Sequence, residues 1–140
     1  NHDAPRNAPM DITKLPLFET MRERLSFLTA RQSVLAENVA NANTPGYEAK
    51  DVEAPDFAAM AAGEGGLRTT DPRHFALPAS DVGGFRVREM PGSESTPNGN
   101  SVNLEDQMMK VSSVQMDYAT VTQLYRKALN MIRLAAGGQR

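Results

Sequence analysis

The 140-residue chain contains no cysteine and no tryptophan. Without cysteine it has neither a disulfide framework nor thiolate-bound zinc, and it is indifferent to the redox state of its compartment. Aromatic residues make up 6% of the chain, thin for a self-sufficient globular core. Neither sign of charge is in excess: 15 basic and 17 acidic residues give a net charge of -2. No nucleic-acid partner is therefore expected. No run of about 18 apolar residues occurs, so direct membrane insertion is not expected either. The first residues lack a charged region followed by an apolar core, so no classical signal peptide is expected. If the protein leaves the cytoplasm, another route carries it. Glycine and proline are not scarce, at 10 and 9, but they gather in the middle of the chain.

What the chain does have is two long apolar stripes at helical spacing. The later one runs from about Val102 to Ala136. It passes through Val111, Val114, Tyr118, Val121, Tyr125, Ala128, Ile132 and Ala135 in alternating steps of three and four. That is a heptad seam, the pattern by which one helix buries a stripe on another. Leu104 and Met108 extend the seam upstream, and Leu124, Leu129 and Met131 widen it. No Gly or Pro interrupts it before Gly137-Gly138. Roughly 35 residues make a rod of about 50 Å, which needs a partner. Asn103 or Ser101 is placed to cap this helix, with Glu105 and Asp106 at the positive end of its dipole.

The earlier stripe follows Pro16, a residue tolerated in a first helical turn. It comprises Phe18, Met21, Leu25, Leu28, Gln32, Leu35, Val39 and Ala42, with Gln32 its one polar member. Glu19, Arg22, Glu23, Arg24 and Arg31 mostly fall off it. The two stripes predict an amphipathic helix pair. The spacing leaves open whether they pair within one chain or between copies.

The first helix runs into Ala40-Asn41-Ala42-Asn43-Thr44-Pro45-Gly46-Tyr47. Pro45 cannot continue a helix and drives Thr44 out of helical geometry. Pro45-Gly46 suits the central pair of a type II turn. The amides of Asn41 and Asn43 can bond nearby backbone as the helix ends. Residues 48–100 carry only scattered apolar side chains. Asp56 to Ala62 reads as a helical turn or loop, ended by the glycines from Gly63. Thr70 to His74 reads as a capped turn. His74–Leu77 and Phe85–Met90 alternate with period two, which predicts two short strands, a hairpin with its loop around Pro78 to Gly84. Pro91 to Asn100 reads as a linker.

The fold class is thus mainly α. Long N- and C-terminal amphipathic helices form a coiled-coil-like pair or bundle, around a small irregular middle with a short β-hairpin. Residues 1–9 are expected to be a disordered leader or a remnant of the expression vector, with Met10 as a natural start. Residues 10–47 form the N-terminal helix and turn, 48–100 the flexible middle, and 101–140 the C-terminal helix.

The stretch from Val34 to Val52 resembles the N-terminal signature of bacterial flagellar axial proteins, the rod, hook and hook-associated subunits. Asn38, Ala40, Asn41, Asn43, Thr44, Pro45, Gly46 and Tyr47 stand in the places of that motif, with Glu37 where a first Asn is usual. Within the family the chain is most similar to the proximal rod (FlgB) type. The residues around Thr70 to His74, Gly99 to Glu105 and Leu124 to Lys127 support this, and the resemblance spans Met10 to Gly137. It implies a structural subunit of the flagellar basal-body rod, polymerising through its terminal helices into a periplasmic drive shaft for motility. It further implies partners: further copies, other rod proteins, a rod-to-ring adaptor, and the flagellar type III export apparatus, which would carry it without a cleavable signal. It also implies terminal helices that are loosely folded until neighbours supply burial. The apolar seams read as assembly surfaces in that picture.

Nothing in the residues themselves points to catalysis. The histidines are His2 and His74, neither paired at metal-ligand spacing, so no metal and no cofactor is expected. Asp51 with Glu53, or Glu64, Glu89 and Glu94, could be imagined as the acids of a glycosidase that opens peptidoglycan. Such acids must be held in a cleft, and these lie in Gly- and Pro-rich sequence with little to rigidify them. Gly63-Glu64-Gly65-Gly66 lacks the lysine and flanking elements of a phosphate loop. Met21, Met108 and Met131 read as seam fillers. The competing function class is a small cytoplasmic helical adaptor or export-chaperone-like binding module whose helices form a stable hairpin.

Overall fold

The computed structural model describes residues 15–63, 81–90 and 102–137. The leader, the turn at Thr70 to His74, the strand expected at His74–Leu77 and the linker at Pro91 to Asn100 lie outside the described residues. The elements in chain order are α1 (Pro16–Ala40), β1 (Lys50–Val52), α2 (Phe57–Ala61), β2 (Asp81–Val82), β3 (Phe85–Glu89) and α3 (Leu104–Gly137). The chain is mainly helical, with two long terminal helices and a short antiparallel strand set between them.

Each helix starts where its local chemistry allows. Pro16 occupies the first turn of α1. The Asp56 carboxylate accepts from the Ala59 amide (3.0 Å) and caps α2. The Asn103 side chain accepts from the Asp106 amide (3.2 Å) and caps α3, with Glu105 and Asp106 in its first turn.

The two long helices pair within one chain, antiparallel. Asn38 meets Gln107, Arg24 meets Asp117, and the Phe18 ring meets Tyr125 edge-on at 5.4 Å. Partners in α3 fall in number as those in α1 rise. At 25 and 34 residues the helices are about 37 and 51 Å long, so α3 runs past the start of α1 by about 14 Å. Leu28, Leu35 and Val114 close the contact between them, with Val111 and Val121 at its edges.

A second face of α1 lies outside its predicted stripe. Phe27, Ala30 and Val34 turn away from the α3 seam and receive the middle region. The Phe27 ring meets Phe57 of α2 at a tilt and Phe85 of β3 edge-on, each at 5.6 Å between centroids. Val52 and Phe85 complete the core, with Val82 and Val87 at its edge. Hence α1 is buried on two sides by its own chain. Within the single chain the α1 stripe is buried at Phe18, Leu28 and Leu35 and half-buried at its other positions.

The strands also differ from expectation. The hairpin turn is Gly83-Gly84, the last two residues of the loop expected around Pro78 to Gly84, and the strand that enters it is Asp81-Val82 rather than His74–Leu77. The turn joins Asp81-Val82 to Phe85-Arg86 in register Asp81↔Arg86 and Val82↔Phe85. Both glycines have positive φ, +60° and +84°, as the tight primed turn requires. The longer partner of β3 is β1, antiparallel with Lys50↔Glu89 and Val52↔Val87, giving the order β1-β3-β2.

Gln32, the polar member of the α1 stripe, carries a side-chain oxygen enclosed without a hydrogen-bond partner. An enclosed orphan carbonyl costs about 1–3 kcal/mol. Gln32→Leu is expected to stabilise the chain by about 1–2 kcal/mol, read as a higher urea midpoint at unchanged slope. A lower midpoint would show that this oxygen is satisfied in solution.

Candidate functional site

The motif that ends α1 is built around one side chain. Asn38 is fully buried at 0% exposure. Its amide nitrogen donates to the Lys50 carbonyl (2.6 Å) and to Gln107 Oε1 (2.9 Å). Its oxygen accepts from the Lys50 amide (2.9 Å) and from the Tyr47 hydroxyl (3.1 Å). Both donors and both acceptor positions are used, which is all a primary amide can offer. Toward Lys50 the side chain behaves as a strand would, pairing with N–H and C=O together and closing the outer edge of β1. Toward Gln107 it reaches into α3. One residue thus joins both long helices and the sheet.

The rest of the motif delivers Lys50 and Tyr47 to that amide. The Asn41 amide bonds the Glu37 carbonyl (3.0 Å) and its side chain bonds the same oxygen (2.9 Å), ending the helix. Thr44 returns to Asn41 through backbone (3.0 Å) and hydroxyl (3.2 Å). The Tyr47 amide then donates to the Thr44 carbonyl (3.2 Å) across Pro45-Gly46, with Gly46 at φ +77°. That is a type II turn, and Gly46 supplies its left-handed corner. Ala40, Asn43, Thr44, Pro45 and Gly46 are themselves exposed. Burial, and then the nearby Glu37 carboxylate, push the Tyr47 phenol up, so it keeps the proton it donates.

A second polar junction lies beside the first. Arg31 of α1 grips Asp51 of β1 with two nitrogens (3.0 and 3.1 Å), and the Val52 amide donates to the same carboxylate (2.7 Å). Lys110 of α3 stands 4.0 Å from it. Glu53 is held by Arg88 at 3.1 Å. Asp51 and Glu53 are therefore each matched to an arginine. Glu48 is different: a hydrogen bond shared with Glu89, and that group's charge, hold its carboxyl above the usual range. Among the described residues no group of three or more His, Asp or Glu is placed to hold a metal.

The two seams are placed as follows. On α1, Phe18, Leu28 and Leu35 are buried, while Met21, Leu25 and Val39 are half-buried. On α3, Val114 is buried, and Val111, Val121, Tyr125, Ala128 and Ile132 are half-buried. Leu104, Met108 and Tyr118 stand exposed instead, and Gln107 takes the inward place between Leu104 and Met108. Leu124 and Met131 do not widen the seam: with Met109, Met116 and Leu134 they lie on another face of α3, open to solvent. Sequence reasoning missed Gln107 and this second face. The signal for the face was a run of apolar residues too wide for one stripe.

A family model described as flagella basal body rod protein matches residues 18–47, the span of α1 and its turn. The flagellar basal body rod protein FlgB of Cereibacter sphaeroides is 33% identical over 78% of this chain and 84% of its own length. The FlgB of Aeromonas hydrophila is 31% identical over 82% and 88%. The chain belongs to the FlgB family of flagellar basal body rod proteins. The FlgB of Salmonella typhimurium is similar over still more of the chain, 30% identical over 84% of it and 91% of the relative. In this FlgB-family chain the matched span contains Asn38, both partners that α1 offers α3 at its ends, and the whole turn.

Asn38→Ala is expected to leave Lys50, Tyr47 and Gln107 without their partner and to cost about 3 kcal/mol or more in chemical unfolding. Tyr47→Phe removes one of the four bonds and is expected to cost about 1 kcal/mol. Equal costs would contradict the central role of the amide. Gly46→Val meets open space yet is expected to lose about 1–3 kcal/mol through backbone strain alone.

Proposed function

We propose that the chain, a structural subunit of the flagellar basal-body rod, polymerises through α1 and α3 into the periplasmic drive shaft that carries torque. Other copies and other rod proteins are its neighbours in that shaft. The observation that carries the reading is the outer face of α3. Met109, Met116, Met131 and Leu134 are each 62% to 72% exposed on one long helix. Burying a large apolar side chain gains about 1.5–3 kcal/mol, so such a face favours packing against a neighbour. A contact between unlike surfaces that does not close on itself builds a helical filament.

The same reading assigns a rod-to-ring adaptor as the neighbour at the membrane-proximal end, and the flagellar type III export apparatus as the route of delivery. It makes no use of a membrane span. Among the described residues no helix is long and apolar enough to cross one.

Two experiments test it. The chain is expected to co-purify with intact basal bodies, with its density next to the inner-membrane ring; its absence from them would overturn the assignment. Leu134→Asp, at a solvent-exposed position, is expected to preserve folding by circular dichroism and to abolish swimming. Normal swimming, together with that of Val121→Asp at the covered seam, would remove α3 from the assembly surface.

A further inference from the structure

Lack of cysteine removes thiol chemistry from the chain but leaves thioether chemistry. Of its 8 methionines, Met108, Met109, Met116 and Met131 lie on α3 and are 51% to 72% exposed. Met90, just after β3, follows at 42%. Met21 of α1 and Met60 of α2 are half-buried. The core shared by α1, α3 and the strands contains no methionine. The methionines that a dissolved oxidant reaches first are thus the ones the fold uses least.

Each of the four on α3 also has a hydrogen-bond donor one helical turn away, since side chains four apart share a face. Met108 is so placed with Ser112, Met109 with Ser113, Met116 with Ser112 again, and Met131 with Lys127. The first three methionines and both serines line one groove. Further along the helix, Thr120 and Thr122 turn their hydroxyls back to the carbonyls of Met116 and Tyr118 (2.9 and 2.8 Å). Ser112, Ser113 and Lys127 are exposed, and among the described residues none of their side chains is hydrogen-bonded or ion-paired. A thioether is a weak acceptor. Oxidation to the sulfoxide places a polar oxygen beside a donor already in position.

We propose that these four methionines make the outer face of α3 a peroxide-sensitive modification site. The Sδ lone pair attacks one oxygen of hydrogen peroxide, and the S–O bond forms as the O–O bond breaks. The hydroxide that leaves takes the proton of the new S–OH and departs as water. Sulfur is oxidised by two electrons and the peroxide is reduced. A methionine sulfoxide reductase working with a dithiol reverses the step, releasing the oxygen as water and leaving a disulfide on the reductant. The folded subunit survives, because none of the four fills the core, yet its exposed apolar face becomes polar. The oxidised subunit is then withheld from the rod until it is reduced. That consequence rests on the reading of this face as the packing surface; the chemistry itself does not.

The chemistry is read by treating the full chain with hydrogen peroxide and mapping oxidised peptides by mass. Met108, Met109, Met116 and Met131 are expected to react at least about fivefold faster than Met21 and Met60, with circular dichroism unchanged. Equal rates at Met21 or Met60, or loss of helicity as the four react, would overturn the proposal. Assembly is read with two quadruple variants that need no oxidant. Met108→Gln, Met109→Gln, Met116→Gln and Met131→Gln together imitate the sulfoxide with a polar side chain of similar length and helix preference. Leu at the same four positions keeps the face apolar and has no sulfur to oxidise. Both variants are expected to fold like the unaltered chain. The Leu variant is expected to enter basal bodies, and the Gln variant to enter at least about tenfold less. Equal entry of the two, at any level, while the unaltered chain enters normally would overturn the regulation. So would a Gln variant that unfolds, since the fold would then depend on these side chains. Absence of the unaltered chain from basal bodies would sink the rod reading instead and leave the peroxide chemistry standing.

Discussion

The buried amide of Asn38 is the constraint on which the rest of the fold depends. A helix, a sheet edge and a second helix meet at this side chain, and each brings polar groups that would be costly if left unmatched. The turn through Pro45-Gly46 has to be tight because the chain must come back within nine residues to set the Tyr47 hydroxyl on Asn38. Leucine at position 38 would satisfy the apolar stripe and strand every one of those groups. The polar residue therefore decides which arrangement of the apolar ones is allowed.

Around that point the two long helices have different fates. α1 is enclosed on opposite sides, by α3 and by the strands with α2, so it contributes most of the core. α3 is enclosed along one row and bare along another. The contrast separates two environments that the sequence pattern alone merges: α1 holds the subunit together, and α3 keeps one apolar row exposed. The ion-paired cluster of Arg31, Asp51 and Lys110 ties the same three elements a second time, at the edge of the core.

Much of this was legible because local chemistry was strong. The Pro-Gly corner, the Asn103 cap, the ends of α3 and the positions of Phe18, Leu28, Leu35 and Val114 follow from spacing and turn rules. What was hidden had physical reasons. Phe27, Ala30 and Val34 repeat at helical intervals one face away from the first stripe, so a search for one seam absorbs them into its flank. β1 is three residues long and two of them are charged, so it shows no alternation; the amide of Asn38 replaces a neighbouring strand. Leu124 and Met131 lie on the wrong side for α1, yet a heptad count tolerates them. Gln107 carries no local signal because its partner is 69 positions away.

One mechanical consequence follows from the bond between Asn38 and Gln107. Two helices joined only by apolar ridges can creep past one another, since each step of about 5.4 Å brings similar groups back into contact. Here the first such step pulls Gln107 off Asn38 and strands polar groups in a dry interior. The junction is a detent: it permits bending of the pair but resists axial slip. Shear between α1 and α3 is the motion this junction resists, and it is where the two helices of the subunit are locked in register.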